Sequence, residues 1–168
     1  MIIWINGSFG AGKSTAATLL NRKVRNSIVY DPEKIGAFLR DTMPFEANDF
    51  QDYKLWRILS YEVLKNLSEK YKHVIVPMTL VDSEYYEEII GRLEKSNVKV
   101  KHIILSADKQ TLIKRLDERI NTTEWAYNQI ERCIQGLSEL KGEIVKTDNL
   151  SVDQVIDKIN NIISAEIK

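Results

Sequence analysis

The sequence predicts an α/β domain in three layers, a five-stranded parallel sheet with helices on both faces. Three observations predict it. Short apolar runs alternate with longer amphipathic ones, no internal repeat or linker divides the chain, and 168 residues suit one domain that buries roughly 70% of its unfolded surface. A single domain over residues 1–168 is therefore expected.

The strands are expected at 2–6, 27–30, 73–77, 98–106 and 143–146, each a short apolar run bounded by polar or turn residues. The helices are expected at 13–23, 32–41, 52–70, 83–95, 109–120, 123–137 and 152–166, where apolar residues recur at helical spacing. Asp31 before Pro32, Asp108 before KQTLIKRL and Ser151 before VDQVIDKI mark three helix starts. The least regular stretch is TMPFEAND, 42–49, either a loop beside the active site or a plain surface connection.

The first predicted strand runs into GSFGAGKST and then into a helix. This is a full match to G-x-x-x-x-G-K-[ST], with Gly7, Gly12, Lys13 and Ser14 in register and the strand and helix that the motif requires. Glycines at 7, 10 and 12 let successive N–H groups turn inward around a phosphate. Gly7, Ser8, Phe9, Gly10, Ala11, Gly12, Lys13, Ser14 and Thr15 thus form a P-loop, and the fold is of the P-loop NTPase, nucleotide-kinase-like kind. Lys13 is suited to the β- and γ-phosphate oxygens, and the Ser14 hydroxyl to the Mg²⁺ between them.

Lys+Arg and Asp+Glu both number 24, so there is no basic surplus of the kind that nucleic-acid binding uses, and a small-molecule partner is expected. No leader-like segment and no stretch of roughly 18 apolar residues is present, which points to a cytoplasmic protein without a transmembrane span. The single cysteine, Cys133, reads as a buried, inert thiol.

In an open α/β sheet, chemistry sits beyond the carboxyl ends of the strands. Asp31, after the second strand, is the prime candidate: it can take a proton from a substrate hydroxyl or hold Mg²⁺ through water, while also capping the next helix. Arg115 and Arg119 stand at i and i+4, either reaching over a triphosphate or lying on a solvated face with Asp117 and Glu118. Arg132 is a third candidate arginine. The third strand ends in Pro77, Met78 and Thr79 without the usual acid, so magnesium leans on Ser14, water and Asp31. No NKxD-like tetrapeptide is present, which disfavours a switch GTPase. For an acceptor, Arg40, Tyr53, Trp56 and Arg57 offer rings and cations, although Trp56 shares its helical spacing with core positions. His73 and His102 read as structural. Trp125 is either core or cover, and the final helix has an apolar stripe that packs on the sheet.

WINGSFGAGKS, VYDPEKIGAFLR, FQDYKLWR, VIVPMTLV, EIIGRLEK, IERCIQGL and KTDNLSVDQV together resemble the tunicamycin-resistance ATP-binding proteins, themselves similar to shikimate-kinase-like and chloramphenicol-phosphotransferase-like P-loop kinases. YDPEK and VPMT are the segments that generic P-loop kinases do not share. The resemblance implies ATP and Mg²⁺ at residues 7–15, a catalytic or metal-linked acid at Asp31, a lid around Arg115 and Arg119 (about 109–135), and adenine against Thr147 to Asn149. It implies a small-molecule acceptor, tunicamycin or another nucleoside- or sugar-like compound, and a monomer or homodimer. Three functions fit: phosphorylation of the antibiotic at a hydroxyl, ATP-dependent sequestration without turnover, or a housekeeping nucleoside or sugar kinase. The base candidate and the lid arginines favour transfer.

Overall fold

A computed structural model describes residues 1–43, 49–120 and 122–165. Five parallel strands, β1 (Ile2–Gly7), β2 (Ser27–Val29), β3 (His73–Pro77), β4 (Val100–Ser106) and β5 (Glu143–Lys146), stand in the order β2-β3-β1-β4-β5. The helices are α1 (Lys13–Lys23), α2 (Glu33–Thr42), α3 (Lys54–Lys70), α4 (Ser83–Tyr86), α5 (Arg92–Lys95), α6 (Lys109–Asp117), α7 (Glu124–Asn128), α8 (Ile130–Glu139) and α9 (Val152–Ser164). A short 3₁₀ turn, Phe50–Asp52, precedes α3, and a π-helical turn, Glu87–Gly91, joins α4 to α5.

Every residue of β1 is buried, because the central strand of a parallel sheet is covered on both faces. Ile3 and Ile5 pack with Leu20 of α1 and Ile156 and Ile159 of α9, while Ile2 and Trp4 face Trp56 and Leu64 of α3. Neighbouring strands β1 and β4 send their following segments to opposite sides of the sheet, so a crevice opens beyond their carboxyl ends. That crevice is where the P-loop sits.

Most predicted boundaries hold to within two residues. The predicted helix 109–120 stops at Asp117, which leaves Arg119 past its end and Ile120 exposed. The predicted helix 123–137 is bent at Gln129 into α7 and α8, with the Cys133 N–H to Gln129 carbonyl bond continuing across the bend. Ser151 forms a capping box with Gln154, and Asp31 Oδ1 accepts the Glu33 N–H at 3.0 Å; Asp108, by contrast, makes no side-chain cap bond. Most of the expected loop 42–49 and the end of the last predicted helix, at Glu166, lie outside the described residues.

Candidate active site

The P-loop is set by steric exclusion and positive φ. Gly10 has φ +83°, and a Cβ there would lie 2.7 Å from the Leu112 carbonyl oxygen of α6, so only glycine lets the loop rest on that helix. Gly12 has φ +92° and open space where a Cβ would be. It stands at the N-cap of α1, whose first turn has neither a side-chain cap nor an acidic residue. The N-termini of α2 and α9 have side-chain acceptors; that of α1, like those of α3 and α6, has none, and at α1 the glycine-rich loop turns its amides to the same place. The residues present therefore fit a phosphate chain, with Lys13 and the exposed hydroxyls of Ser14 and Thr15 beside it.

Lys13 Nζ donates to the Ser8 carbonyl at 3.1 Å and lies 5.5 Å from the centre of the Phe9 ring. Burial pulls its pKa down to about 8; Glu33 and Cys133 oppose that pull, and the positive charge of Arg119 adds to it. Arg119 thus faces the same space as Lys13. Arg115, expected beside it, is instead held by Thr147, donating to Oγ1 at 2.9 Å and to the carbonyl at 2.7 Å. Both arginines line a cavity of about 460 Å³ with Gly10, Gly12, Thr15 and Thr147, closed on its apolar side by Leu150, Val152 and Val155. Asn149, expected against the base, is exposed and does not line this cavity.

A second cavity, of about 350 Å³, lies on the other side of the P-loop, lined by Phe9, Glu33, Arg40, Asp49, Phe50, Gln51, Met78, Thr79 and Trp125. Of the four residues expected to meet an acceptor, only Arg40 lines it. Trp56 is fully buried and donates its indole N–H to the Pro32 carbonyl, so the apolar spacing that placed it in the core prevails. Tyr53 packs against the same core cluster. Arg57 is buried in a clamp: it pairs with Glu88 at 2.7 Å, lies over the Tyr85 ring and donates to the Gln51 carbonyl. Its effect on the cavity runs through Gln51, whose side chain donates to the Thr79 carbonyl, while Thr79 Oγ1 donates to the Gly7 carbonyl.

Two site residues escaped the sequence reading. Glu33 lines the second cavity and Asp31 does not. Glu33 keeps contact with water, yet the surrounding protein pushes its pKa up; Asp31 and Asp49 add to that, and Lys13 and Arg40 oppose it. The spacing D-P-E after a strand end was the available signal. Asn6 is the second: its amide donates to the Leu80 carbonyl at 2.7 Å and meets His102 Nε2 at 3.1 Å, while Oδ1 accepts the Gly7 and Leu80 N–H groups. This fixes the entry of the P-loop. The His102 ring is held from its other side by the Lys141 carbonyl, and burial lowers its pKa, so the neutral ring fits the network.

The segment after α6 closes over the site. Trp125 meets Phe9 edge to face at 5.2 Å, and Arg132 of α8 reaches Asp49 at 3.8 Å. Gly136 lets α8 approach the Val81 carbonyl, where a Cβ would stand 2.7 Å away. Cys133 is buried, and burial raises its thiol pKa, as expected of an inert thiol. Among the described residues no cluster of His, Cys, Asp and Glu forms a metal cage, and no helix is long and apolar enough to cross a membrane.

A family model described as AAA domain matches residues 2–140, and the chain belongs to that family. No curated protein matches. Among solved structures, the Deinococcus radiodurans tunicamycin resistance protein is similar, with a TM-score of 0.80, 27% identity and coverage of 96% of this chain and 94% of that one. A gluconokinase from Sinorhizobium meliloti (TM-score 0.71, 13% identity, 98% and 91% covered) and shikimate kinase from Aquifex aeolicus (TM-score 0.60, 22% identity, 99% and 98% covered) share the fold. The fold is that of the P-loop kinases.

Proposed function

From membership of the AAA-domain family and likeness to kinases, we propose that the chain transfers the γ-phosphoryl group of ATP to a hydroxyl of a small molecule, with tunicamycin the first acceptor to test. One observation carries the reading: consecutive P-loop residues, Phe9 and Gly10, line one cavity each, so a phosphate held by the loop faces both.

The Gly10–Gly12 backbone and Lys13 would hold the phosphates, and Ser14 with Asp31 would hold Mg²⁺ through water. Thr147 and the Arg115 guanidinium, with Val152 and Val155, form the wall for the base. ATP with Mg²⁺ supplies an electrophilic phosphorus. Glu33 takes the proton of the attacking hydroxyl at its carboxylate, because it lines the acceptor cavity and its raised pKa brings it closer to the working pH. Asp31, the acid expected from the sequence, orients Glu33 by capping its N–H. Arg119 adds positive charge where the transferred group gains negative charge. Trp125 and Phe9 keep water from the hydroxyl's place, and residues 109–135 act as the lid.

The absence of an acid at Met78 and Thr79 favours a second reading, ATP-dependent holding of the drug without turnover. Mass spectrometry separates the two. With protein far below tunicamycin or nucleoside, transfer gives more than one equivalent of acceptor heavier by one phosphate. Unmodified drug, retained one to one and only with ATP, would replace transfer by holding.

A further inference from the structure

The acceptor cavity has a charge and shape pattern that reaches beyond the reaction type. Two of its lining residues are carboxylates, Glu33 and Asp49, and Arg40 is the one lining cation among the described residues. Residues 44–48, outside the described set, contain no Lys or Arg. Two of the cations around the cavity are already engaged: Arg132 lies 3.8 Å from Asp49, and Lys13 donates to Ser8 and is drawn to Glu33. Glu33 and Asp49 also repel each other, and burial makes both harder to ionise. A third negative charge placed here would meet two carboxylates and a single exposed arginine, Arg40.

The remaining wall is aromatic. Phe9, Phe50 and Trp125 border the space, with Trp125 edge-on to Phe9 and Phe50 tilted on the buried Trp56 at 5.3 Å. Rings of this kind pack against the C–H faces of a saturated ring or the plane of a base, and carboxylates accept from hydroxyls on its edge. Gln51 holds the turn that carries Asp49 and Phe50 to the Thr79 carbonyl.

We propose that this cavity takes an uncharged, hydroxyl-bearing ring, covered by Trp125 and gripped through its hydroxyls by Glu33 and Asp49, and that it rejects acceptors carrying a carboxylate or phosphate. This rests on the phosphotransfer reading for the identity of the ligand as an acceptor. Trp125 and the Asp49–Arg132 pair are then the specificity elements, because they come from α7, α8 and the 49–52 turn and stand at the cavity.

The test uses matched pairs that differ by one charged group: methyl glucoside against methyl glucuronide, and uridine against uridine 5′-monophosphate. The full chain is saturated with Mg²⁺ and a non-hydrolysable ATP analogue. Trp4 and Trp56 are 0% exposed and Trp125 is 43% exposed, so acrylamide quenching reads Trp125. In at least one pair the neutral member should shield Trp125 and bind at least tenfold more tightly than its charged partner. In Asp49→Asn the charged partner should gain on the neutral one. Charged members binding as tightly as neutral ones, or no neutral member shielding Trp125, would overturn the proposal. The same pairs are then incubated with ATP. A neutral ring that binds without being phosphorylated leaves the cavity assignment standing and removes the transfer reading; phosphorylation of a charged member does the reverse.

Discussion

The two cavities on either side of the P-loop are built by different means. On one side the P-loop floor is backbone, with the side chains of Arg115, Arg119, Leu150, Val152 and Val155 around it: Gly10 and Gly12 turn amides toward an uncapped helix end, and the loop is fixed because side chains there would collide with α6 or adopt a forbidden φ. The other side is lined by residues from five separate segments, two mutually repelling carboxylates among them. Backbone recognition accepts a phosphate chain and is indifferent to what lies beyond it. Side-chain recognition selects. On the proposed reading, general binding falls to one side and specificity to the other.

Lys13→Ala should break the nucleotide side with the largest effect, a loss of at least ~10³-fold in kcat/KM together with ATP affinity, read by steady-state kinetics and calorimetry. Retained ATP affinity would mean that the amides alone hold the phosphates. Glu33→Gln should lower kcat by ~10² or more while leaving ATP affinity near wild type. Asp31→Asn, which keeps an acceptor for the Glu33 N–H, should lower it less. If Asp31→Asn is the more damaging change, the sequence-based choice of base stands and Glu33 is demoted to an acceptor contact.

That pair of variants also marks what was legible from the sequence. The P-loop and the five strands could be read because each is written in contiguous residues. Glu33, Asp49, Gln51 and Trp125 are far apart in the chain and meet only through topology, so no local pattern announced them together. Arg57 misled in the same way: its helix was identified, but Glu88, supplied by a distant element, draws it away from the cavity, whereas the spacing of Trp56 already pointed to the core. Arg115 and Arg119 were grouped by i, i+4 spacing; α6 ends at Asp117 between them, yet both line the same cavity.

Asn6→Ala should cost about 3 kcal/mol in urea denaturation, since four buried partners lose hydrogen bonds at once. A change under about 1 kcal/mol would show that water replaces the amide.

The smallest effect is a proton. Lys13 is pulled from its usual 10.5 to about 8 in the free protein, so between those values the unfolded chain binds more protons and stability rises with pH. Bound phosphates should lift the Lys13 pKa again. ATP binding should therefore take up a proton and weaken as pH rises above about 8, visible by calorimetry in buffers of different ionisation enthalpy. Arg119→Ala removes a charge that depresses Lys13 and should reduce that uptake.

Where the γ-phosphoryl group ends tests the account most directly. ATP labelled at its γ-phosphorus should transfer the label to an acceptor hydroxyl in multiple turnovers, with little released to water and with transfer lost in Glu33→Gln. Label released to water at the same rate with and without acceptor would contradict transfer and leave an ATPase whose second cavity serves another purpose.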